Sequence, residues 1–320
     1  MLKTILFLIL TLIILPVVAF YYDTPLSPEI LNALYFAAKV MLGVALTCFL
    51  LGEITGNTSQ VDKIWSIIPA VYLWIFAWKS EWNPRIILMA VVITIWAIRL
   101  TYNFARRGGY HWIPWKGEED YRWAVLRQKP GFNNRFIWAI FNLFFISLYQ
   151  NSLLLLITLP ALVAWQGADT ALGAGDFILA GLILTAVTIE FIADQQQYDF
   201  QTEKFDRINQ NLPLTGDLED GFCQRGLWKW VRHPNYTAEQ SVWFFLYFFS
   251  VVATGRWVNW SLAGVILLML LFMGSSDMSE KISSGKYPKY ADYIKRVPRF
   301  IPRFGGPPAP GKIPATEKTA

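Results

Sequence analysis

The sequence predicts an all-α, polytopic membrane bundle of seven core spans with one extra helix at the N-terminus. Three observations carry that expectation. Hydrophobic residues make up 54% of the 320, with 15 Trp and a mean hydropathy of +0.35, more apolar than soluble domains usually are. Apolar runs of about the length a bilayer needs recur along the chain. Lys and Arg crowd the loops 106–135 and 198–235 and the C-terminal tail, whereas the connections near 23–29 and 167–176 are acidic or neutral. Eight alternating spans with both termini cytoplasmic put every basic loop on one face.

The first run, 2–20, follows a lone Lys3 and lacks a small-residue cleavage site, so it reads as a retained extra span or a signal anchor. The second, 30–51, carries Lys39 near its middle. A lysine inside a span is either functional or a long side chain reaching for the interface. Asp62 stands at the head of a third span, 64–78, where an acid usually caps the helix. The fourth, 85–104, ends in Arg99, Asn103 and Arg106-Arg107. In the following loop Glu119-Asp120-x-Arg122 is suited to tying the loop to itself or to a neighbour.

The run 136–165 would be about 45 Å long as one helix, which suggests a single tilted helix bent near Pro160. The span 177–193 ends in Glu190 and Asp194, one turn apart on one face. Two last spans, 236–254 and 257–274, read as a tight hairpin around Gly255-Arg256, and the Gly/Pro-rich stretch 305–320 as a disordered tail. The domain that remains is 30–304.

Function is concentrated at Arg232-His233-Pro234-Asn235-Tyr236-x-x-Glu239. Proline is tolerated in the first turn of a helix, so a helix starts at Pro234, with Asn235 and Glu239 on one face and Arg232 and His233 just outside. Cations and free N–H groups at a helix start suit a phosphate or carboxylate. A basic interface anchor accounts for the same residue types. With the topology above, Asp62, Arg99, Asn103, Arg107, Glu190, Asp194, Arg232, His233, Asn235, Tyr236, Glu239 and Glu280 approach one membrane face, and ionisable groups at matching depth imply a hydrated pocket. Independent caps and anchors explain each residue singly, but not their coincidence. Cys48 and Cys223 give no disulfide framework, and with two His the chain offers no ordinary metal site. Basic residues flanking spans speak for topology and against nucleic acid. No Gly-x-Gly-x-x-Gly turn is present, which excludes a Rossmann site.

The stretch from Gly226-Leu227-Trp228 through Arg232–Glu239 to Tyr287-Pro288-x-Tyr290 and Phe300-Ile301-Pro302, with Val61-Asp62-x-x-Trp65-Ser66 and Arg99-Leu100 upstream, resembles the steroid 5-alpha reductase family and especially its bacterial relatives. Members are seven-helix membrane enzymes that use NADPH to reduce a carbon–carbon double bond conjugated to a ketone. The resemblance implies an integral enzyme of a bacterial inner membrane acting on a steroid-like or other lipid substrate. Its partners would be the bilayer and a hydrophobic small molecule, with no obligate protein partner. The family's Asn-x-x-x-Glu pair at the nicotinamide falls on Asn235 and Glu239, its preceding acid on Asp194, and a neighbouring polar residue on Glu190. Its arginine falls on Arg99, and its acid near the substrate ketone, by spacing, on Asp62, the implied catalytic residue. Arg232, His233, Tyr236, Glu280, Asn103 and Arg107 join the implied cofactor set. The family's His and Tyr ahead of its final Tyr-Pro are replaced near Ser276 and Glu280. The same C-terminal pattern also resembles isoprenylcysteine carboxyl and lipid methyltransferases, which bind S-adenosylmethionine. Those usually carry paired Glu before the tyrosines, where this chain has Ser279-Glu280. A membrane scaffold without chemistry is the third class.

Overall fold

The computed structural model describes residues 10, 14–111, 113, 117 and 119–303, and every regular element among them is helical. The expected tail at 305–320 and most of the expected helix at 2–20 lie outside the described residues. The part of that helix that is described is α1, Leu15–Tyr22. The elements after it are α2 (Pro28–Thr55), α3 (Gln60–Ile64), α4 (Ile68–Lys79), α5 (Pro84–Arg106) and α6 (Tyr121–Arg127). Next come α7 (Arg135–Phe141), a π-helix (Asn142–Tyr149), α8 (Gln150–Leu156) and α9 (Pro160–Gln166), then α10 (Ala174–Asn209), α11 (Asp217–Asp220), α12 (Pro234–Thr254), α13 (Leu262–Lys286) and α14 (Tyr290–Arg296).

Among the described residues, five helical stretches are long and apolar enough to cross a membrane: Pro28–Thr55, Pro84–Arg106, Arg135–Gln166, Ala174–Asn209 and Leu262–Lys286. The chain is an integral membrane protein by that criterion. The other expected spans come out differently. α4 has 12 residues, about 18 Å, because Pro69 in its first turn cannot continue a helix from upstream. α12 has 21 residues, but Glu239 and Gln240 hold its apolarity down. α13 starts at Leu262, not at 257: Gly255 takes φ 72°, and Asn259 Oδ1 accepts from Ser261 N and Oγ at 3.2 and 2.6 Å, starting the helix later. α10 runs on through the polar residues 195–209, of which 198–209 fall in the expected loop. The break before Pro160 is present, and the π-helix is an addition. Lys39 is exposed on α2, as a snorkelling lysine would be.

The chain divides into two compact units: Met1–Leu184 with Trp243–Leu268, and Thr185–Val242 with Met269–Ala320. In the first, α4 packs on α5, and α2 packs on the π-helix, α4 and α8. Small residues permit close approach: a Cβ on Gly167 would lie 2.3 Å from the Ala253 carbonyl, and one on Gly264 2.4 Å from that of Leu156. Arg85 and Asp176, 91 positions apart, form a buried pair that sequence reading missed. Arg85 Nε donates to Asp176 Oδ1 at 2.7 Å and Nη2 to Oδ2 at 3.1 Å, while the carbonyls of Thr170 and Ala171 take further donors at 3.1 and 3.0 Å. Geometry this complete is what a buried ion pair requires to be tolerated.

In the second unit, Phe222, Tyr290, Tyr293 and Val297 form one apolar cluster, and Phe200, Leu218 and Cys223 another. They join the 210–231 loop to α10 and α14. Trp228 Nε1 donates to the Ala193 carbonyl at 3.1 Å, Tyr293 Oη to that of Trp228 at 2.5 Å, and Leu227 N to Gln196 Oε1 at 2.8 Å. Gly226 has φ 58°, which strains any other residue, and a Cβ there would sit 2.3 Å from the Gln196 amide and displace it.

Candidate functional site

Of the residues singled out in the sequence, Asp62, Arg99, Asn103 and Arg107 belong to the first unit, and the other eight to the second.

In the second unit α12 starts at Pro234 as expected, and the segment leading into it is clamped. Arg232 Nε and Nη2 donate to Glu280 Oε1 and Oε2 at 2.8 and 3.2 Å, and Nη1 to the carbonyls of Ile294, at 3.0 Å, and Val297. His233 Nε2 shares Glu280 Oε1 at 2.9 Å, and Arg299 Nη2 reaches Oε2 at 3.3 Å. Main chain completes the clamp: Arg232 N and His233 N donate to the carbonyls of Pro298 and Arg299 at 2.9 and 3.2 Å, and Thr237 Oγ1 to that of Phe300 at 2.9 Å. Arg232, His233 and Glu280 are all buried. The cationic pair expected to face a ligand is thus engaged by Glu280 and by the C-terminal segment. No spacing rule links positions 232 and 280, so this partnership was invisible in the sequence.

One turn further on, the side chains are of another kind. Asn235 Nδ2 donates to Asp194 Oδ1 at 3.2 Å. Glu190, Asp194 and Glu239 are each under 5% exposed, on α10 and α12 at the spacings expected. Tyr236 stacks on the His233 ring, with centroids 5.2 Å apart at 17°, and meets Phe272 edge-on at 4.8 Å. The arrangement presents an amide and three carboxylates in a buried setting. Chemically it can accept hydrogen bonds from hydroxyl, amide and ammonium groups.

In the first unit Arg99 and Asn103 are buried on one face of α5, Asn103 Oδ1 accepts from Arg106 Nε and Nη2 at 3.0 and 2.8 Å, and Arg107 is exposed. Asp62 is not the cap of the following helix. It sits inside the single turn α3, and α4 begins six residues later without a side-chain cap. The turn is held by the 106–135 loop, as its acids suggested. Glu119 Oε1 accepts from Thr58 N at 2.7 Å and pairs with Arg127, and Ser59 Oγ accepts from Asp120 N at 2.9 Å. Burial opposes ionisation of Glu119, but Arg127 and Thr58 outweigh it and hold its carboxyl below the usual range.

Asp62 as a whole is half-buried, yet its Oδ2 is sealed from solvent with no hydrogen-bond partner among the described residues. Burial pushes the carboxyl up from 3.8 to about 6; the Ser59 hydroxyl and Arg122 offset this, and Asp120 adds to it. An acid raised in the folded state favours folding while neutral, so its contribution is present at low pH and is lost as pH rises through about 6. Thermal midpoints across that window are expected to fall more steeply for the parent than for Asp62→Asn, which does not titrate. Parallel profiles would mean Asp62 is not perturbed.

The family described as "Protein of unknown function (DUF1295)" matches residues 48–297. A relative from Schizosaccharomyces pombe, "Uncharacterized protein C594.04c", is 35% identical over 300 residues, covering 90% of this chain and 83% of its own length. No solved structure gives a significant match. With a family match over most of its length and a relative aligned along nearly all of it, the chain belongs to the DUF1295 family.

Proposed function

We propose that the protein is an integral-membrane NADPH-dependent reductase of a carbon–carbon double bond conjugated to a carbonyl, acting on a steroid-like or other lipid substrate. The observation that carries this reading is the Asn235–Asp194 contact at the start of α12, beside buried Glu190 and Glu239. It supplies what the nicotinamide end of the cofactor needs: acceptors for a carboxamide N–H and ribose hydroxyls, and an amide that is itself oriented. The fit at the phosphates is poorer, because Arg232 and His233 are turned to Glu280.

NADPH, when bound, supplies a hydride to the β-carbon of the conjugated carbonyl, and the double-bond electrons move toward the carbonyl oxygen. The protein's part is to orient and to deliver a proton. Asn235 and Glu239 orient, with Asp194 holding the Asn235 amide. Asp62 is the proposed acid: its raised pKa keeps part of it protonated near neutral pH, able to donate to an oxygen as negative charge develops.

The engaged state of Arg232 also favours a second reading, an S-adenosylmethionine-dependent methyltransferase of the isoprenylcysteine carboxyl or lipid type, since that cofactor has no phosphate to hold. The two separate in a thermal titration of the purified protein. A ligand that binds the folded state raises the midpoint, by about 2.7 kcal/mol of stability at a hundredfold excess over Kd. The expected result is a rise with NADPH and little with S-adenosylmethionine. The reverse preference makes the protein a methyltransferase.

A further inference from the structure

We propose that the exposed face of α2 is a docking surface for a separate membrane-spanning helix that carries an Asp or Glu near its middle, with Lys39 as the ion-pair partner. The proposal does not rest on the reductase reading. α2 has 28 residues, about 42 Å of helix against a hydrocarbon core of about 30 Å. Lys39 is exposed on it and lies within about 2 Å of the middle of the apolar run 30–51. A lysine side chain reaches about 6 Å, less than half of the roughly 15 Å to either edge of the hydrocarbon. Snorkelling therefore shortens the distance to water without closing it. Among the described residues no ion pair or hydrogen bond reaches the Lys39 ammonium. An ammonium at that depth is costly, and such groups pair with an opposite charge.

The surface around Lys39 has the pattern of a helix seat. Asn32, Phe36, Lys39, Gly43, Leu46 and Leu50 are exposed. Their spacing alternates between four and three residues, which aligns them down one side of α2 as in helices that lie along one another. The opposite side, with Ala33, Ala37, Ala45 and Cys48, is buried, and α2 packs on the π-helix, α4 and α8. Only 17% of its apolar stretch is buried, against 28–56% for the other four spanning helices. One turn beyond Lys39, a Cβ on Gly43 would meet nothing within 4 Å. The backbone there is open to close approach, and small residues are where membrane helices come together.

The charge selects the occupant. Residues 1–22 contain no Asp or Glu, so the stretch ahead of α2 has no counter-charge to offer. A second copy of the chain has none at this depth: Glu29 and Glu53 stand at the two ends of its α2, and Glu190, Asp194, Glu239 and Glu280 are buried. Lipid headgroups lie at the edges of the bilayer. What remains is a carboxylate carried to the middle of the bilayer by another helix, where it and Lys39 neutralise each other.

The test places the full-length protein in phosphatidylcholine vesicles with a synthetic, dansyl-labelled helix of about twenty leucines that carries either Asp or Leu at its centre. Energy transfer from the protein's tryptophans reads association. The expected result is about tenfold tighter association of the Asp helix than of the Leu helix. That preference disappears in Lys39→Leu, which removes the charge. It also disappears in Gly43→Leu, whose side chain has room in the protein alone but fills the seat. Leu is a better helix former than Gly and about the equal of Lys, so neither variant loses its fold. Equal association of the Asp and Leu helices overturns the proposal, as does a preference that survives Lys39→Leu. A preference lost in Lys39→Leu but kept in Gly43→Leu overturns the docking surface, because the pair then forms away from this side of α2.

Discussion

Asp62→Asn is expected to lower turnover by about 10²–10⁴-fold, the usual contribution of a general acid, with fold and NADPH binding intact. The amide fills the same space on α3 and can still donate a hydrogen bond, but it has no proton to give up. Asp62→Leu removes both abilities and is expected to be slower still. A rate of reduction near the parent value in the Asn variant would show that Oδ2, buried and without a hydrogen-bond partner among the described residues, takes no part in proton transfer. Circular dichroism and the NADPH thermal shift on the same preparation separate lost chemistry from lost structure.

Glu280→Leu is expected to cost about 3–5 kcal/mol of stability, because it leaves the buried Arg232 without its carboxylate. His233 and Arg299 lose the same partner. The segment 294–300, tied to Arg232 and Thr237 through its carbonyls, should become more sensitive to protease in this variant. Replacing both members, Arg232→Leu with Glu280→Leu, should recover much of the loss, since no charge is then stranded. Losses that simply add would mean the clamp does not act as a unit.

The sequence made some of this visible. Of the eight spans read from the apolar runs, five have spanning character among the described residues; Pro234 marked the start of α12, and the spacing of Glu190 with Asp194 and of Asn235 with Glu239 marked shared helical faces. Each of these follows from local periodicity. What stayed hidden depends on distant partners. Arg85 looked like a basic residue at a span start, yet Asp176 sequesters it from 91 positions away. Arg232 looked like a ligand-facing cation because Glu280 cannot be assigned to it by spacing. Hydropathy ended α10 at 193 because it registers solvent preference, whereas main-chain bonds and packing carry the helix to Asn209. Asp62 looked like a cap because capping is what most acids at that kind of position do. Here the turn from Gly56 to Ser59 separates α3 from α2, and the break ahead of Pro69 separates α3 from α4.

Reduction itself is tested most directly by isotope transfer. Membranes containing the protein are incubated with a lipid extract, NADPH deuterated at both C4 positions, and S-adenosylmethionine bearing a fully deuterated methyl group, and the lipids are read by mass spectrometry. A reductase leaves one deuterium from NADPH in a lipid product, and Asp62→Asn abolishes that signal. Appearance of the deuterated methyl group in a lipid, with none of the NADPH label, would contradict the reductase assignment and establish methyl transfer in its place.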